Sequence, residues 1–287
     1  MPPLQHLCHT ADIVEKSGIH ISKHIANHTM WDKLAAANPE EPLAGYVVDV
    51  TDETTAAQVA DIKSHVQATD TVLDFGCGYG RLALPLLTQL PMAGYIALDS
   101  SHEMLKLAKA RYDKLAVEPT TPLLFLNADI NQPPLQKDAI DVVVVALVFR
   151  HNHKSVVKQS IHELARVVKP GGKVVVYAGF PRVGSLSGIA GQLYQISLNL
   201  FGRPFKNGPV RYYTRREIKR LFADFARVEL IPVGYSVLPH ALSVLPVPLQ
   251  RFWQTFIANP INSLLQKLTP APLRPYFATH IDVVATR

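Results

Sequence analysis

The alternation of strand and helix patterns between residues 71 and 178 constrains the fold of this 287-residue chain most strongly. Five short apolar runs are separated by segments with helical periodicity. Such alternation predicts a mostly parallel sheet with helices on both of its faces. The run VVVV at 142–145 is apolar on both faces, so we expect it in the middle of the sheet. The predicted strands are 71–75, 94–98, 122–126, 140–146 and 173–178.

Helical patterns precede and separate these strands. Residues 1–68 carry helical patterns with few strand signals, and further helices are predicted at 80–90, 102–115 and 155–168. The last of them runs into KPGG (169–172), where proline and glycine are expected to end the helix and turn the chain.

Two long segments break the rhythm towards the C-terminus. Residues 181–213 are rich in glycine, proline and aromatic residues and are predicted to be a long connection. Residues 234–279 contain several prolines and no acidic residue, and they lie between two final predicted strands, 227–233 and 281–286. The predicted division is a helical N-terminal extension or lid (1–68) and one α/β domain (69–287) with inserted segments 181–213 and 234–279.

The segment VLDFGCGYG (72–80) places three glycines directly after the first strand. Glycines at 76, 78 and 80 permit positive φ angles and leave main-chain N–H groups open to a ligand. The ligand could be a dinucleotide or S-adenosylmethionine. The dinucleotide fingerprint is Gly-x-Gly-x-x-Gly, whereas the spacing here is Gly-x-Gly-x-Gly. Asp74 would repel a diphosphate, and a cationic amino-acid group would suit it better.

Several linked motifs resemble those of the class I S-adenosylmethionine-dependent methyltransferases of the small-molecule type. VLDFGCGYG is similar to the first motif of that family, and Asp99 in IALDSSHEML is similar to its ribose-binding acid. Asp129 and Ile130 in LNADI match the step that the family places against adenine. DVVVVALVFRH resembles the fourth strand, and ELARVVKPGG resembles the fifth motif. The resemblance covers roughly residues 70–180, because five ordered motifs at strand ends are far more specific than one glycine turn.

The resemblance implies a Rossmann-like, seven-stranded, mostly parallel sheet and S-adenosylmethionine as cofactor, with S-adenosylhomocysteine as product. It also implies that the segment before the first motif, around Ile19 to Trp31, closes over the cofactor. The residues that it assigns to the cofactor site are Asp74, Phe75, Gly76, Cys77, Gly78, Gly80, Asp99, Ser100, Met104, Ala128, Asp129, Ile130, Ala146 and Leu147.

A candidate catalytic residue follows the fourth strand. His151 aligns with the second histidine of the family's strand-end pattern, whereas Arg150 replaces the first. A general base is needed only when the methyl acceptor must lose a proton. His151 is therefore predicted either to act as that base or to pack under the cofactor as a loop histidine.

Three histidines, His20, His24 and His28, repeat every four residues, which would align them on one helix face. Two such histidines can chelate a metal, but no third and fourth ligand that would complete a site are visible. The histidines are therefore interpreted as a polar stripe on a lid helix, and no metal site is predicted.

The motifs that are missing narrow the choice of acceptor. The Pro-Pro-Tyr motif of exocyclic-amine methylation, the Pro-Cys nucleophile of cytosine methylation and an appended RNA-binding module are all absent. Because both inserted segments are apolar and aromatic, we expect a small or lipid-like organic acceptor, methylated at oxygen, nitrogen or carbon. The alternatives are an RNA or protein methyltransferase that uses its basic surface, and a catalytically silent regulator that binds the cofactor.

Composition sets the expected location. The chain has only two cysteines, a net charge of +6, no secretory signal pattern and no apolar run long enough to span a membrane. A cytoplasmic protein is expected. The apolar, acid-free segment 234–279 is interpreted first as packing on the domain, with peripheral contact to an anionic membrane as a further expectation.

Overall fold

A computed structural model describes residues 4–23, 25, 29–37, 39, 52–115, 120–200, 210–238 and 247–287. Its strands are β1 Ile13–Lys16, β2 Ile19–Ser22, β3 Thr71–Phe75, β4 Gly94–Asp99, β5 Leu123–Asn127, β6 Ile140–Ala146, β7 Val168–Pro181, β8 Arg227–Val233 and β9 His280–Thr286. Its α-helices are α1 Thr29–Ala37, α2 Asp52–His65, α3 Ala83–Gln89, α4 His102–Tyr112, α5 Lys154–Val167, α6 Leu186–Leu200, α7 Arg215–Leu221, α8 Val247–Phe252 and α9 Asn259–Leu268. A π-helical turn, Trp253–Ala258, joins α8 to α9.

One sheet organises the described part of the chain, with the strand order β1-β2-β5-β4-β3-β6-β7-β9-β8. The strands from β2 to β7 in this order pair in parallel, and the pairs β1–β2, β7–β9 and β9–β8 are antiparallel. From β3 the chain first moves outward through β4 and β5, and then returns to place β6 on the other side of β3. Ligands of open α/β sheets bind where the strand order reverses in this way, outside the carboxyl ends of the strands.

The middle of the sheet is covered on both faces, and the VVVV run shows why. Val143 and Val145 pack into one core, and Val142 and Val144 pack into the other. Since neighbouring strand residues point to opposite faces, only a run that is apolar at every position can lie between two helical layers. Helices α5 and α7 contribute to the first core, and α2, α3 and α4 contribute to the second.

The prediction of a seven-stranded sheet with a helical N-terminal extension is wrong in one respect, because the described sheet has nine strands. The extra pair is the hairpin of β1 and β2, and β2 lies parallel to β5 at the sheet edge. Ser17 and Gly18 both have positive φ angles, 54° and 74°, which is typical of the two-residue turn that matches the twist of a hairpin. The histidine stripe is corrected with it: His20 lies buried in β2, and His24 and His28 lie outside the described residues.

The predicted core elements from residue 71 to residue 178 are confirmed with small shifts at their ends. KPGG does not form a separate turn between helix and strand. Instead α5 ends at Val167, β7 begins at Val168, and the register with β6 shifts between Ile140 and Val142 where KPGG bulges out. The segment predicted as a long connection, 181–213, instead contains the helix α6. Its glycines at 188 and 191 lie inside this helix and do not interrupt it.

No helix among the described residues is both long and apolar enough to cross a bilayer. Within the same described ranges, histidine, cysteine, aspartate and glutamate side chains form no group of three or more that could hold a metal ion.

Candidate active site

A cavity opens at the carboxyl edge of the sheet, where the ends of β3, β4 and β6 meet at the reversal of strand order. Turns after four parallel strands and one N-terminal helix form its wall. The lining residues are Trp31, Asp74, Gly76, Cys77, Gly78, Tyr79, Arg81, Leu82, Asp99, Ser100, Met104, Ile130, Ala146, Leu147, Val148, His151 and Asn152.

The glycine turn after β3 is held against β4 by its backbone. The N–H groups of Gly76 and Cys77 both donate to the carbonyl oxygen of Leu98, at 2.7 and 2.9 Å. Gly76 has φ of 80°, and a Cβ there would collide with the side chain of Val148. Gly78 has φ of 55°, and a Cβ there would meet no atom within 4 Å. The turn therefore needs glycine both for its conformation and for close packing, and it leaves open space in front of Gly78.

Asp99 ends β4, and the backbone fixes its carboxylate in the cavity wall. One carboxylate oxygen accepts the N–H of Gly78, and the other accepts the N–H of Ser101, both at 2.8 Å. Behind it, Asn127 on β5 donates its amide to the Asp99 carbonyl oxygen at 2.9 Å. Each carboxylate oxygen has two lone pairs, so Asp99 can still accept hydrogen bonds from a diol.

Asp74 and Arg81 bring an acidic and a basic side chain together in the same wall of the cavity. Burial raises the pKa of Asp74 to about 7, although a hydrogen bond from the Tyr95 hydroxyl (2.8 Å) and the nearby Arg81 guanidinium favour its charged form. Arg81 donates to Thr55 and Gln58 of α2, each at 2.8 Å, and burial lowers the pKa of its guanidinium. The glycine turn is thereby connected to the N-terminal part of the chain.

Helix α1 covers one side of the cavity and is attached to the beginning of α4. Ser101 is the N-cap of α4 and accepts the N–H of Met104. Its hydroxyl donates to Asp32 of α1 at 2.5 Å, and the same Asp32 oxygen accepts the N–H of Glu103 at 3.3 Å. A carboxylate at a helix N-terminus is favourable because unpaired N–H groups and the positive end of the helix dipole meet there. This contact sets the position of Trp31 over the cavity.

His151 lies in a short 3-10 helix, Phe149–His151, that follows β6. Its ring packs edge-to-face against Trp31, with ring centroids 6.0 Å apart. Burial, with a further contribution from the positive charge of Arg150, lowers the pKa of His151 to about 3. The imidazole is therefore neutral at physiological pH.

The structure brings eleven of the predicted cofactor-site and catalytic residues to the cavity surface, and four do not line it. Phe75 is fully buried and packs its ring against Phe149, and Ala128 is fully buried in the same core. Gly80 contributes to the turn rather than to the lining, and the Asp129 carboxylate accepts the N–H of Asn131 beside the cavity. The eleven that line the cavity are Asp74, Gly76, Cys77, Gly78, Asp99, Ser100, Met104, Ile130, Ala146, Leu147 and His151.

Several lining residues were not among the predicted ones, notably Tyr79, Arg81 and Asn152. Trp31 ends the segment that was expected to close over the cofactor and line its pocket, and this residue does lie in the cavity wall. Arg81 follows the last glycine of the turn directly, so its position could have been noticed from its spacing. Nothing in the sequence around Trp31 indicates that α1 packs on α4.

Comparison with known proteins supports the same interpretation of this edge of the sheet. The sequence profile of a family described as "Methyltransferase domain" matches residues 72–172. Residues 72–172 are therefore similar to a methyltransferase domain. The match begins on the strand before the glycine turn and ends at the last residue of KPGG, so it includes the four strands whose turns form the cavity wall and the start of β7.

Two curated relatives of the chain are named for quinone chemistry. The chain is 32% identical over 114 residues to a "2-phytyl-1,4-naphtoquinone methyltransferase" of Nostoc punctiforme, covering 39% of this chain and 48% of the relative. It is 30% identical over 128 residues to a "Demethylmenaquinone methyltransferase" of Thermus thermophilus, covering 45% of this chain and 56% of the relative. The chain thus spans about half the length of these curated relatives.

Among solved structures, a putative methyltransferase from Haloferax volcanii, determined in complex with the activator Trm112, is similar in fold. Its TM-score is 0.59 at 19% identity, with 89% of this chain and 96% of that chain covered. This similarity extends the shared fold of the methyltransferase domain to most of the chain.

Proposed function

We propose that the protein is an S-adenosylmethionine-dependent methyltransferase that acts on a small, hydrophobic organic acceptor. The observation that carries this proposal is the wall of the cavity: a glycine turn open at Gly78, the fixed carboxylate of Asp99, and the pair of Asp74 and Arg81. All four lie where the strand order of the sheet reverses.

The residues present fit the three parts of the cofactor. The Asp99 carboxylate can accept hydrogen bonds from the ribose diol. Met104 and Ile130 are buried apolar side chains in the cavity wall and suit the flat faces of adenine. Asp74 and Arg81, with opposite charges, complement the ammonium and carboxylate groups of the amino-acid end.

The cofactor supplies a methyl group on a positively charged sulfur, which is an electrophile in an in-line displacement. The protein's part is to position the acceptor and to exclude water. Trp31 on α1 covers the cavity, and the neutral ring of His151 beside it can accept a hydrogen bond from an acceptor hydroxyl. A base with so low a pKa is better suited to orienting that hydroxyl than to holding its proton, so His151 is proposed to position the acceptor.

The acceptor class rests on two supports. Segments 181–213 and 234–279 leave the sheet beside the cavity and contain many apolar and aromatic residues. The relatives named above act, by their names, on a phytyl naphthoquinone and on demethylmenaquinone. We propose by analogy that the acceptor is a reduced aromatic ring with an apolar tail.

The test is methyl transfer from isotopically labelled cofactor to a naphthoquinol that carries a short prenyl tail. We expect label in the ring product, a loss of activity in Asp99→Ala, and a fall in kcat with nearly unchanged cofactor affinity in His151→Asn. An exposed-residue variant, Val14→Ala, serves as the control. Label that enters only RNA or protein would support the alternative acceptor class. Cofactor binding without transfer to any of these acceptors would support a regulator instead.

A further inference from the structure

The two inserted segments leave the sheet next to each other. Pro181 at the end of β7 is paired with His280 at the start of β9, and the Arg182 N–H donates to the Thr279 carbonyl oxygen at 3.0 Å. The Arg182 guanidinium also lies 6.0 Å from the centroid of the Tyr276 ring. The start of α6 in the first segment and the end of the 271–277 turn in the second therefore lie near one place on the carboxyl edge of the sheet.

This place adjoins the candidate active site. Leu147 lines the cavity, and its N–H donates to the carbonyl oxygen of Tyr177 on β7 at 3.0 Å. Tyr177 precedes Pro181, where the first segment departs, by four residues. The segments thus leave the sheet close to the side of the cavity that Leu147 lines.

Helix α6 exposes an unusually apolar face for a protein surface. Its 15 residues include no charged side chain. Its exposed large side chains follow a spacing of four, three and four residues, which places them on one face of the helix. They are Ile189, Leu193, Ile196 and Leu200, with exposed fractions between 48% and 80%.

The second segment exposes a similar surface over residues 247–276. The rings of Phe252 and Phe256 contact each other, with centroids 5.1 Å apart, and both remain more than half exposed. Contiguous exposed apolar surface of this kind usually marks an interaction site. The exposed large side chains are Leu249, Phe252, Phe256, Ile261, Leu264, Leu268, Leu273 and Tyr276.

The charge of the two segments has one sign. The sequence has no acidic residue in 181–213 or in 234–279, and the two ranges together contain seven lysines and arginines. The whole chain has 29 basic and 23 acidic residues, so 22 basic and 23 acidic residues remain outside the segments. The entire positive excess of the protein is therefore located in the segments that carry the apolar faces. The seven residues are Arg182, Arg203, Lys206, Arg211, Arg251, Lys267 and Arg274.

We propose that α6 and the 247–276 region together form a docking surface for an anionic lipid bilayer. Apolar side chains that insert at the interface, combined with basic side chains and no acids, are the combination that binds anionic membranes. A second copy of the chain would bring the same positive charge to the contact and be repelled. Nucleic acid would use the charges but would leave the apolar faces exposed to water. Helix α6, at 15 residues, is about 22 Å long and lies along the interface rather than across it.

Docking through this surface would bring the candidate active site to the bilayer, a step that rests on the proposed function. With the protein docked through this surface, the cavity would lie beside the lipid, so an acceptor with an apolar tail could reach the site with its tail still in the bilayer.

Vesicle flotation tests the docking surface. We expect the wild-type protein to float with vesicles that contain phosphatidylglycerol, but not with vesicles of phosphatidylcholine alone. In about 1 M NaCl, where charges are screened beyond roughly 3 Å, binding should weaken. The double variant Leu193→Glu/Ile196→Glu should reduce vesicle binding at least tenfold, because it places two acids on the exposed face of α6. The matched control, Val14→Glu/Ile231→Glu, changes exposed apolar residues on the two outer strands and should bind like the wild type.

Three results would overturn the proposal: no flotation with anionic vesicles, an equal loss of binding in the control variant, or a wild-type dimer by light scattering that the α6 variant converts to monomer. Titration of S-adenosylhomocysteine into the α6 variant separates this proposal from the enzymatic one. Wild-type affinity there, together with lost vesicle binding, shows that the surface and the cofactor site are independent.

Discussion

At the scale of single residues, the surroundings of Asp74 in the cavity bring the pKa of its carboxyl close to physiological pH. Its carboxyl is only 2% exposed, and burial raises its pKa to about 7. The groups around it act in both directions: the hydrogen bond from the neutral Tyr95 hydroxyl and the charge of Arg81 favour the carboxylate, and the charge of Asp99 opposes it. Because a cationic ligand binds the ionised form, ligand affinity must rise as pH rises through this pKa.

We predict that S-adenosylhomocysteine binds about tenfold more tightly at pH 7.5 than at pH 5.5, a range in which its ammonium group keeps its charge. In Asp74→Asn the affinity should be lower at pH 7.5 and should vary little over this range. Calorimetric titrations of both proteins at several pH values measure the effect. An equally steep pH dependence in the variant would assign the titration to another group.

The residues of the site differ in how well sequence alone could predict them. Gly76, Gly78 and Asp99 were predictable because the backbone of one strand-turn-helix unit dictates both their type and their spacing. Phe75 and Ala128 were assigned to the site by their place in a motif, but their side chains point into the core. Arg81 and Trp31 reach the cavity through contacts with α2 and α4, and such contacts leave no local pattern.

At the scale of elements, α1 is joined to the domain by the hydrogen bonds that Asp32 accepts from Ser101 and Glu103. Most residues of this helix are at least partly exposed. A hydrogen bond to a charged group is worth about 1.5–3 kcal/mol. Loss of the Asp32 carboxylate should therefore release α1 from α4 without unfolding the sheet.

We predict that Asp32→Ala weakens S-adenosylhomocysteine binding roughly tenfold, as expected from about 1.4 kcal/mol. The chain has two tryptophans, so a Trp253→Phe background leaves Trp31 as the only indole reporter. Ligand should change its fluorescence strongly in that background and only weakly once Asp32→Ala is added. Asp113→Ala, at the other end of α4, removes an exposed pair with Lys109 and serves as control. Unchanged affinity and fluorescence in the Asp32 variant would show that α1 is held by other contacts.

The elements themselves were predictable to different degrees. The strands from β3 to β7 contain apolar runs long enough to identify them. The N-terminal hairpin was missed because each of its strands has four residues, too few for a clear period. The Ser17-Gly18 pair was the only local signal for it.

At the scale of the whole molecule, the antiparallel side of the sheet contains a largely buried acid that affects stability. Asp282 of β9 accepts the N–H of Ala178, at 2.7 Å, where β7 bulges with a positive φ angle. Burial raises the pKa of Asp282 to about 7, with the nearby Asp61 adding to the effect. Its folded pKa lies above the unfolded value of 3.8, so this group favours folding fully below pH 3.8. That contribution is lost as pH rises through 7.

We predict that this one group lowers the free energy of unfolding by about 2 kcal/mol between pH 5.5 and pH 8.5. Asp282→Asn keeps an oxygen that can accept the Ala178 N–H, but it cannot ionise. Denaturant unfolding of the variant should therefore show less loss of stability over this range than the wild type. If the two proteins lose stability in parallel, Asp282 is not the group responsible.

The arrangement of the sheet explains why the site could be located from sequence while the surface around it could not. Parallel strands end at one edge, so five motifs in chain order suffice to place a ligand there. The inserted segments follow no such rule. Their position beside the cavity depends on the antiparallel pairing of β7 with β9, which connects residues about 100 positions apart.

We propose that the edge formed by β3 and β4 binds S-adenosylmethionine through Asp99. Calorimetric titration with S-adenosylhomocysteine, in the wild type and in Asp99→Ala, tests it most directly. We expect one binding site per chain in the wild type and no measurable binding in the variant, with both proteins folded by circular dichroism. Wild-type affinity in Asp99→Ala, or no binding by the wild type, would contradict it.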